Sequence, residues 1–433
     1  MMDATIILKE AFDKQNSPGG NLADYQQQNW SMFSGLGLPA LKHEEWKYTR
    51  ISKVFTDKLV INNDSHFSQD ALEKLILKGT ENANRIVFFN GRFLEAMSIT
   101  TDSAEAICIK PLEKAAGDED ADFVNTNLGH SQRYHGDGIN ALNAAFANGG
   151  VYIRVNKGAI LNNPIIIYHV SDSSNGIRFS QPRILVNIQE AAQVELIETY
   201  ANMGGGETLT NEVVEISAEK DAVLHYVKLQ HEGEKTNHAG TTHIRQTGKC
   251  LTHAVTITLS GAIVRNNLNM VMEAEHGESQ MYGLYLLNGN TLADNHTIVD
   301  NAMPHCFSNE LYKGIMNDGS TGVFNGKIFV RKDAQKTNAY QSNKNILVGE
   351  NASANTKPQL EILADDVKCS HGCTIGKLDE DALFYLRARG ISADNARSML
   401  LHAFAIDILE QIKNEEIRAY AEQLVAERLS FNI

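Results

Sequence analysis

The sequence predicts a mainly β fold, a parallel β-helix or related β-solenoid flanked by helical N-terminal and C-terminal regions. Two patterns carry that expectation. Strand-like starts recur through the middle of the chain: Val194-Glu195-Leu196, Val223-Leu224-His225, Thr252-His253-Ala254 and Met281-Tyr282-Gly283 follow one another in steps of 29 positions. Fixed periods of roughly 20 to 50 residues mark stacked repeats. The connections between them, such as Gly204-Gly205-Gly206, Glu232-Gly233-Glu234 and Asn288-Gly289-Asn290, are polar, turn-forming and too short for the crossover helices of a doubly wound sheet. A β-sandwich with hairpins of similar length fits the same period and stays open at this point.

The elements follow in order. From Ile6 to Phe33 helix formers alternate with spaced apolar positions, and Ser34-Gly35-Leu36-Gly37-Leu38-Pro39 reads as the turn that closes this segment. A helical N-terminal region over 1–80 is expected. Ile86-Val87-Phe88-Phe89, Val151-Tyr152-Ile153-Arg154-Val155 and Ile165-Ile166-Ile167-Tyr168 are β-branched and aromatic, so a β core is expected over 81–365. A helical C-terminal domain is expected over 366–433. After Asp379, Leu383, Phe384, Tyr385 and Leu386 occupy about two turns that stop at Gly390, a C′ glycine. Ser392 caps a second helix with Ala396, Met399, Leu400, Ala403, Phe404, Ile406 and Ile408, and a third carries Ile417, Tyr420, Leu424 and Val425 at helical spacing. Its apolar face suits either the β body or a partner.

At 433 residues the chain exceeds what one compact core usually serves, which suits an elongated one. Its net charge of -14 and pI near 5.5 oppose nucleic acid and anionic membrane surfaces. The opening Met1-Met2-Asp3-Ala4 shows no basic leader, and no run of about 18 apolar residues occurs, so a cytoplasmic protein is expected. Five cysteines, from Cys108 to Cys373, read as reduced thiols rather than a secreted disulfide framework.

Nucleotide-binding motifs are missing. Gly35-Leu36-Gly37-Leu38-Pro39-Ala40 spells a dinucleotide fingerprint but follows no strand and holds a proline in its loop. The Gly-Lys pairs at Gly248-Lys249, Gly326-Lys327 and Gly376-Lys377 precede no hydroxyl residue, so there is no phosphate-binding loop of the ATPase type. His225, His243 and His253 fall in alternating strands and read as structural. Glu195, Glu198, Glu212 and Glu215 are candidates for a β-helix polysaccharide lyase or hydrolase, which would array acids along a groove, yet no pairing stands out.

The densest chemistry is Asp365-Asp366-Val367-Lys368-Cys369-Ser370-His371-Gly372-Cys373, with two thiols and an imidazole within five residues. Such donors suit zinc, copper or iron–sulfur species. A closed site needs four ligands, and His305 and Cys306 are the one comparable pair. A turn with inert cysteines is the plainer reading, and the two aspartates are either ligands or solvated turn residues.

That segment, together with Leu383-Phe384-Tyr385-Leu386-Arg387-Ala388-Arg389-Gly390-Ile391, Lys357-Pro358-Gln359-Leu360-Glu361-Ile362, Phe324-Asn325-Gly326-Lys327-Ile328, Ser342-Asn343-Lys344-Asn345, Gly37-Leu38-Pro39-Ala40 and Glu44-Glu45-Trp46-Lys47-Tyr48-Thr49, resembles the SufB/SufD family of iron–sulfur cluster assembly scaffolds, on its SufD side. The motifs span nearly the whole chain in order. The resemblance implies a right-handed parallel β-helix core, and a scaffold subunit rather than an enzyme. It implies a SufB-like paralogue paired through the β-helix ends and a SufC-like ABC ATPase docked on the C-terminal helices. A transient iron–sulfur cluster or iron would sit at the partner interface, with none bound stably by this chain alone. His371 is then the first candidate ligand and Cys369 the second, with this chain aiding iron entry. A homodimer of the isolated chain and a SufB-like homodimeric scaffold are alternatives, the latter weakened because no second cysteine-bearing segment matches the one that receives sulfur in SufB. Cys373 departs from the alanine usual in the family; it either adds a thiolate or packs into the core, and packing is the favoured reading. The Trp46-Lys47-Tyr48 motif reads as structural.

Overall fold

The computed structural model describes residues 4–15, 19–40, 42–61 and 66–430; the opening residues 1–3 lie outside the described residues. From Arg183 onward, successive strands alternate between two parallel sheets. One stacks Arg183–Ile188, Thr208–Ala218, Thr236–Gln246, Ile263–Met272, Leu292–Asn301, Thr321–Val330 and Ser353–Ile362. The other stacks Gln193–Met203, Val223–Gln230, Leu251–Thr258, Glu278–Leu287, Phe307–Met316, Asn338–Leu347 and Lys368–Gly376. Parallel pairing of every second strand is a solenoid, and hairpins cannot produce it, so the sandwich alternative falls.

The register refines the period. Val194, Leu224, Thr252, Ser279, Ser308, Ala339 and Cys369 stack in one inward-facing column. Their intervals are 30, 28, 27, 29, 31 and 30 residues, so the even step of 29 is an average. Val223 pairs with Gln193, and Met281 with Ala254. A one-residue slip would send each side chain to the wrong face, so the loops absorb the irregular lengths. One corner is built alike in several coils: Ala191, Asp221, His276, His305 and Lys336 adopt left-handed φ of 57 to 63°. Each donates its N–H to a carbonyl of the next coil, and that bond offsets the steric cost of φ > 0.

A cluster rich in Ile, Val, Leu and Met side chains from both sheets, from Ile86 to Val330, packs in the lumen. The helices cover the outer faces. Ala4–Gln15, Ala23–Leu36 and Gly138–Ala145 pack on the first sheet through Phe12, Trp30, Phe33 and Ile139 against Phe179, Leu209 and Ala239. The second helix runs on through Ser34 and Gly35, and the chain turns only at Gly37 (φ 67°); no strand precedes this glycine pair, as the rejection of the dinucleotide motif required. Trp46 is buried, donates Nε1–H to Asp137 at 2.9 Å and lies 4.7 Å beneath the Arg265 guanidinium.

At the other end, helices Ala393–Leu409 and Glu415–Arg428 bury Leu401, Ala405, Ile408, Ile417, Ala421 and Val425 against Val227, Leu229, Val255, Ile257 and Leu284 of the second sheet. Asn414 caps the last helix and is itself held by Glu195, through 3.1 and 3.0 Å bonds from its backbone and side-chain nitrogens. The helix Glu380–Ala388 begins at Asp379 and is followed by Gly390 (φ 87°), and Ser392 caps its successor by accepting from the Asn395 N–H. These helical signals stand where the sequence placed them. The solenoid, however, continues to Gly376, past the expected boundary at 365. Among the described residues no helix is long and apolar enough to cross a membrane.

Candidate functional site

Cover over the strands decides where the chain can meet other molecules. All eleven residues of Thr208–Ala218 are buried, because helices and the opposite sheet take both faces. In Asn338–Leu347 only the inward positions Ala339, Gln341, Asn343 and Asn345 are buried, and Tyr340 and Lys344 lie exposed. In Lys368–Gly376 no residue is buried. This strand and Ser353–Ile362 are the last of their sheets. The solenoid is therefore open at this end, with unpaired edge N–H and C=O groups and with Ile362, Leu363 and Ile375 exposed.

The Cys-Ser-His-Gly-x segment is this final edge strand rather than a turn. Cys369, His371 and Cys373 pair with Ala339, Gln341 and Asn343, all inward-facing, so alternation puts the three on one face at the mouth of the lumen. Cys369 is half-buried against the apolar core, and burial raises its thiol above the ordinary range. His371 and Cys373 are exposed. For Cys373 this overturns the favoured expectation: no coil follows to cover it, so it cannot pack into the core. Consecutive same-face positions stand about 6.7 Å apart along a strand, and the three side chains do not converge into a donor group among the described residues.

The neighbouring candidates are placed elsewhere. Asp366 pairs with Lys336 and accepts its backbone N–H at 2.7 Å, which anchors the corner before the strand. Cys306 is buried in the apolar core, two strands inward, with its thiol 3.4 Å from the Ala274 carbonyl oxygen. That is roughly 10 Å from the edge strand, so it supplies no missing half-site. Burial pushes the Cys250 thiol up to about 12. Behind His371, Gln341 donates to Glu310 Oε2 at 2.7 Å, and burial pushes the Glu310 carboxyl up to about 7.

A second cluster lies deep in the lumen. Glu198 and Glu212 come from opposite sheets and are both buried. His169 Nε2 stands 2.8 Å from Glu198 Oε2 and 3.1 Å from Glu212 Oε1. Tyr200 donates to both carboxylates, Tyr226 to Glu198, and Lys228 is ion-paired with Glu212. Burial raises the Glu198 carboxyl, and the adjacent Glu212 charge raises it further. Burial also raises Glu212, but Lys228 and His169 outweigh it and hold it well below the carboxylate range. The sequence named both glutamates without pairing them; 14 residues apart, they meet because their strands face each other across the lumen. Being wholly buried, they cannot line a polymer-binding groove. Glu215 instead pairs with buried Arg183. His243 lies 2.8 Å from His130 under the N-terminal cover, and His225 and His253 meet edge to face with ring centroids 5.5 Å apart.

On the C-terminal helices the apolar face is divided. Two helices spend it on the sheet, while Glu380–Ala388 buries none of its residues and leaves Phe384 74% and Tyr385 58% exposed. Arg389 lies 5.2 Å over the Tyr385 ring and bonds its hydroxyl.

Comparison with known proteins covers both halves of this architecture. Residues 169–404 match the family described as SUF system FeS cluster assembly, SufBD core domain, and residues 10–167 match the SufBD protein N-terminal region. An iron–sulfur cluster assembly SufBD family protein of Synechocystis is 30% identical over 428 residues, covering 97% of this chain and 94% of the relative. The iron–sulfur cluster assembly protein SufD of Escherichia coli is 28% identical over 405 residues, covering 93% and 92%. A SufBD family protein of Mycobacterium tuberculosis is 30% identical over 242 residues, covering 54% and 60%.

Proposed function

Because the chain belongs to the SufB/SufD family of iron–sulfur cluster assembly proteins, on its SufD-like side, we propose that it is a non-catalytic scaffold subunit whose open solenoid end joins a SufB-like paralogue. The nascent cluster, or the iron that enters it, is cargo held at that junction, with His371 as the first ligand from this chain and Cys369 as the second. A SufC-like ABC ATPase docks on the C-terminal helices, and its cycle opens the interface. The assembly works in the cytoplasm.

The observation that carries this reading is the row Cys369, His371 and Cys373 on an unpaired edge strand. An edge with free backbone groups accepts a further strand, and a partner strand laid there would complete the inward column at the donors themselves. Imidazole and thiolate suit iron and iron–sulfur species. Donors that stand apart along one strand hold at most part of a coordination sphere, so the partner supplies the rest. The unpaired Phe384–Tyr385 face supports docking of a second partner, since aromatic anchors beside an arginine are what interfaces use. A sequence without a phosphate-binding loop of the ATPase type supports assigning ATP hydrolysis to that partner.

Anaerobic reconstitution with and without the SufB-like and SufC-like subunits tests it, reading iron and sulfide per complex. Wild type with partners assembles clusters, the chain alone does not, and His371→Ala with partners loses at least ten-fold. Equal iron and sulfide in His371→Ala and wild type would overturn the ligand assignment. Sedimentation of the isolated chain shows whether a second copy takes the same edge.

A further inference from the structure

We propose that the buried lumen cluster is a site for one divalent transition-metal cation, ligated by His169 Nε2, Glu198 Oε2 and Glu212 Oε1, with His238 as the fourth group at hand. It is separate from the cargo site at the mouth and does not depend on that reading. Donors bound at right angles at about 2.1 Å from a metal stand about 3.0 Å apart. The His169 to Glu198 and His169 to Glu212 separations are 2.8 and 3.1 Å, and all three donor atoms lie within 4.8 Å of one another. Two carboxylates with one imidazole is a donor set that Fe2+, Mn2+ and Zn2+ accept.

His238 gives the independent observation. It is 1% exposed, neither ring nitrogen has a hydrogen-bond partner, and its Nε2 and Nδ1 stand 3.7 Å from Glu212 Oε2 and 3.7 Å from Glu232 Oε1. A buried imidazole without a partner is costly, and a cation between it and Glu212 would satisfy it. Charge points the same way: among the described residues Lys228, on Glu212, is the one lysine or arginine ion-paired with either carboxylate. His169 and Tyr200 are also among the residues that line a surface cleft of about 330 Å³ between the 74–78 segment and the last helix. In the metal-free chain Lys228 is the internal counter-ion. A cation entering at the three donors competes with that ammonium for Glu212.

The competition with Lys228 provides the test. Chelator-stripped full-length protein is titrated anaerobically with Fe2+ and, separately, with Mn2+, and metal is counted after desalting. Wild type retains one cation per chain. Glu198→Gln, which keeps the shape of the protonated acid and therefore the fold, loses it; Lys228→Met binds at least ten-fold more tightly. The double variant Cys369→Ser/His371→Ala keeps the cation, and X-ray absorption reads a nitrogen and oxygen shell without sulfur. Four results overturn the proposal: no cation above background, undiminished binding in Glu198→Gln, loss in the double variant, or a sulfur-containing shell. Should Lys228→Met fail to fold, Glu198→Gln and the absorption spectrum decide the question.

Discussion

Glu198 and Cys373 bound a stretch of one column, which continues beyond Glu198 to Ile167 and stops at Cys373. The stretch runs Glu198, Lys228, Thr256, Gly283, Tyr312, Asn343 and Cys373, one residue per strand, over roughly 29 Å at about 4.8 Å per step. The backbone environment is the same throughout, yet the chemistry at the two ends is opposite. At Glu198 strands continue on both sides and the facing sheet closes the lumen, so charges are desolvated and must pair. At Cys373 the stack stops, so the side chains are wet, unpaired and free for a partner. Stability should therefore concentrate in the lumen and assembly function at the mouth.

The largest effect should come from breaking the deep end. Lys228→Met removes the ammonium that pairs with buried Glu212, and breaking a buried ion pair costs about 3–5 kcal/mol in the metal-free chain; urea unfolding reads it, and a loss under 1 kcal/mol would mean that the cluster is wetter than its burial implies. Next is Glu310, between the two ends. Burial raises its carboxyl to about 7 from an ordinary 4.5, so the native chain keeps a proton that the unfolded chain releases within that window. Stability from this group is full below pH 4.5 and is lost as pH rises through 7, by up to about 3 kcal/mol at 1.36 kcal/mol per unit. Glu310→Gln should flatten that slope in thermal midpoints taken from pH 5 to 8.

At the mouth the expectation reverses. His371→Ala should move stability by less than about 0.5 kcal/mol, as exposed substitutions do, while cluster assembly with partners falls; a shift above 1 kcal/mol would show that the edge is covered within this chain. The smallest perturbation sharpens the contrast without any variant. A thiol reagent applied to the native protein should modify Cys373 rapidly, whereas Cys250 and Cys306 react only on unfolding, because buried, protonated thiols are poor nucleophiles. A partner bound at the edge should then protect Cys373.

Much of this was legible in the residues. Asp379, Ser392 and Gly390 punctuate the C-terminal helices through local hydrogen bonds and backbone conformation, which depend on neighbours in sequence. The recurrence of strands was legible as a mean of 29, but the true intervals were not, since a turn can gain or lose a residue without leaving a mark on the flanking β-branched pattern. His371 and Cys369 were legible as donors by type and by family resemblance. That Cys373 would be exposed was not, because exposure depends on whether another coil follows. The Glu198–Glu212 pair was invisible for the same reason: its members belong to different sheets, and sequence separation does not say which strands face each other.

What the sequence determined by itself was therefore everything with a local cause: strand and helix identity, caps, the missing nucleotide loops and the presence of thiol and imidazole in one short segment. Tertiary structure alone decided which inward-facing side chains meet, and which lose their water. Strand alternation assigns each residue a face, but only the closing of one sheet over the other turns that face into a desolvated lumen at Glu198 and an open mouth at His371.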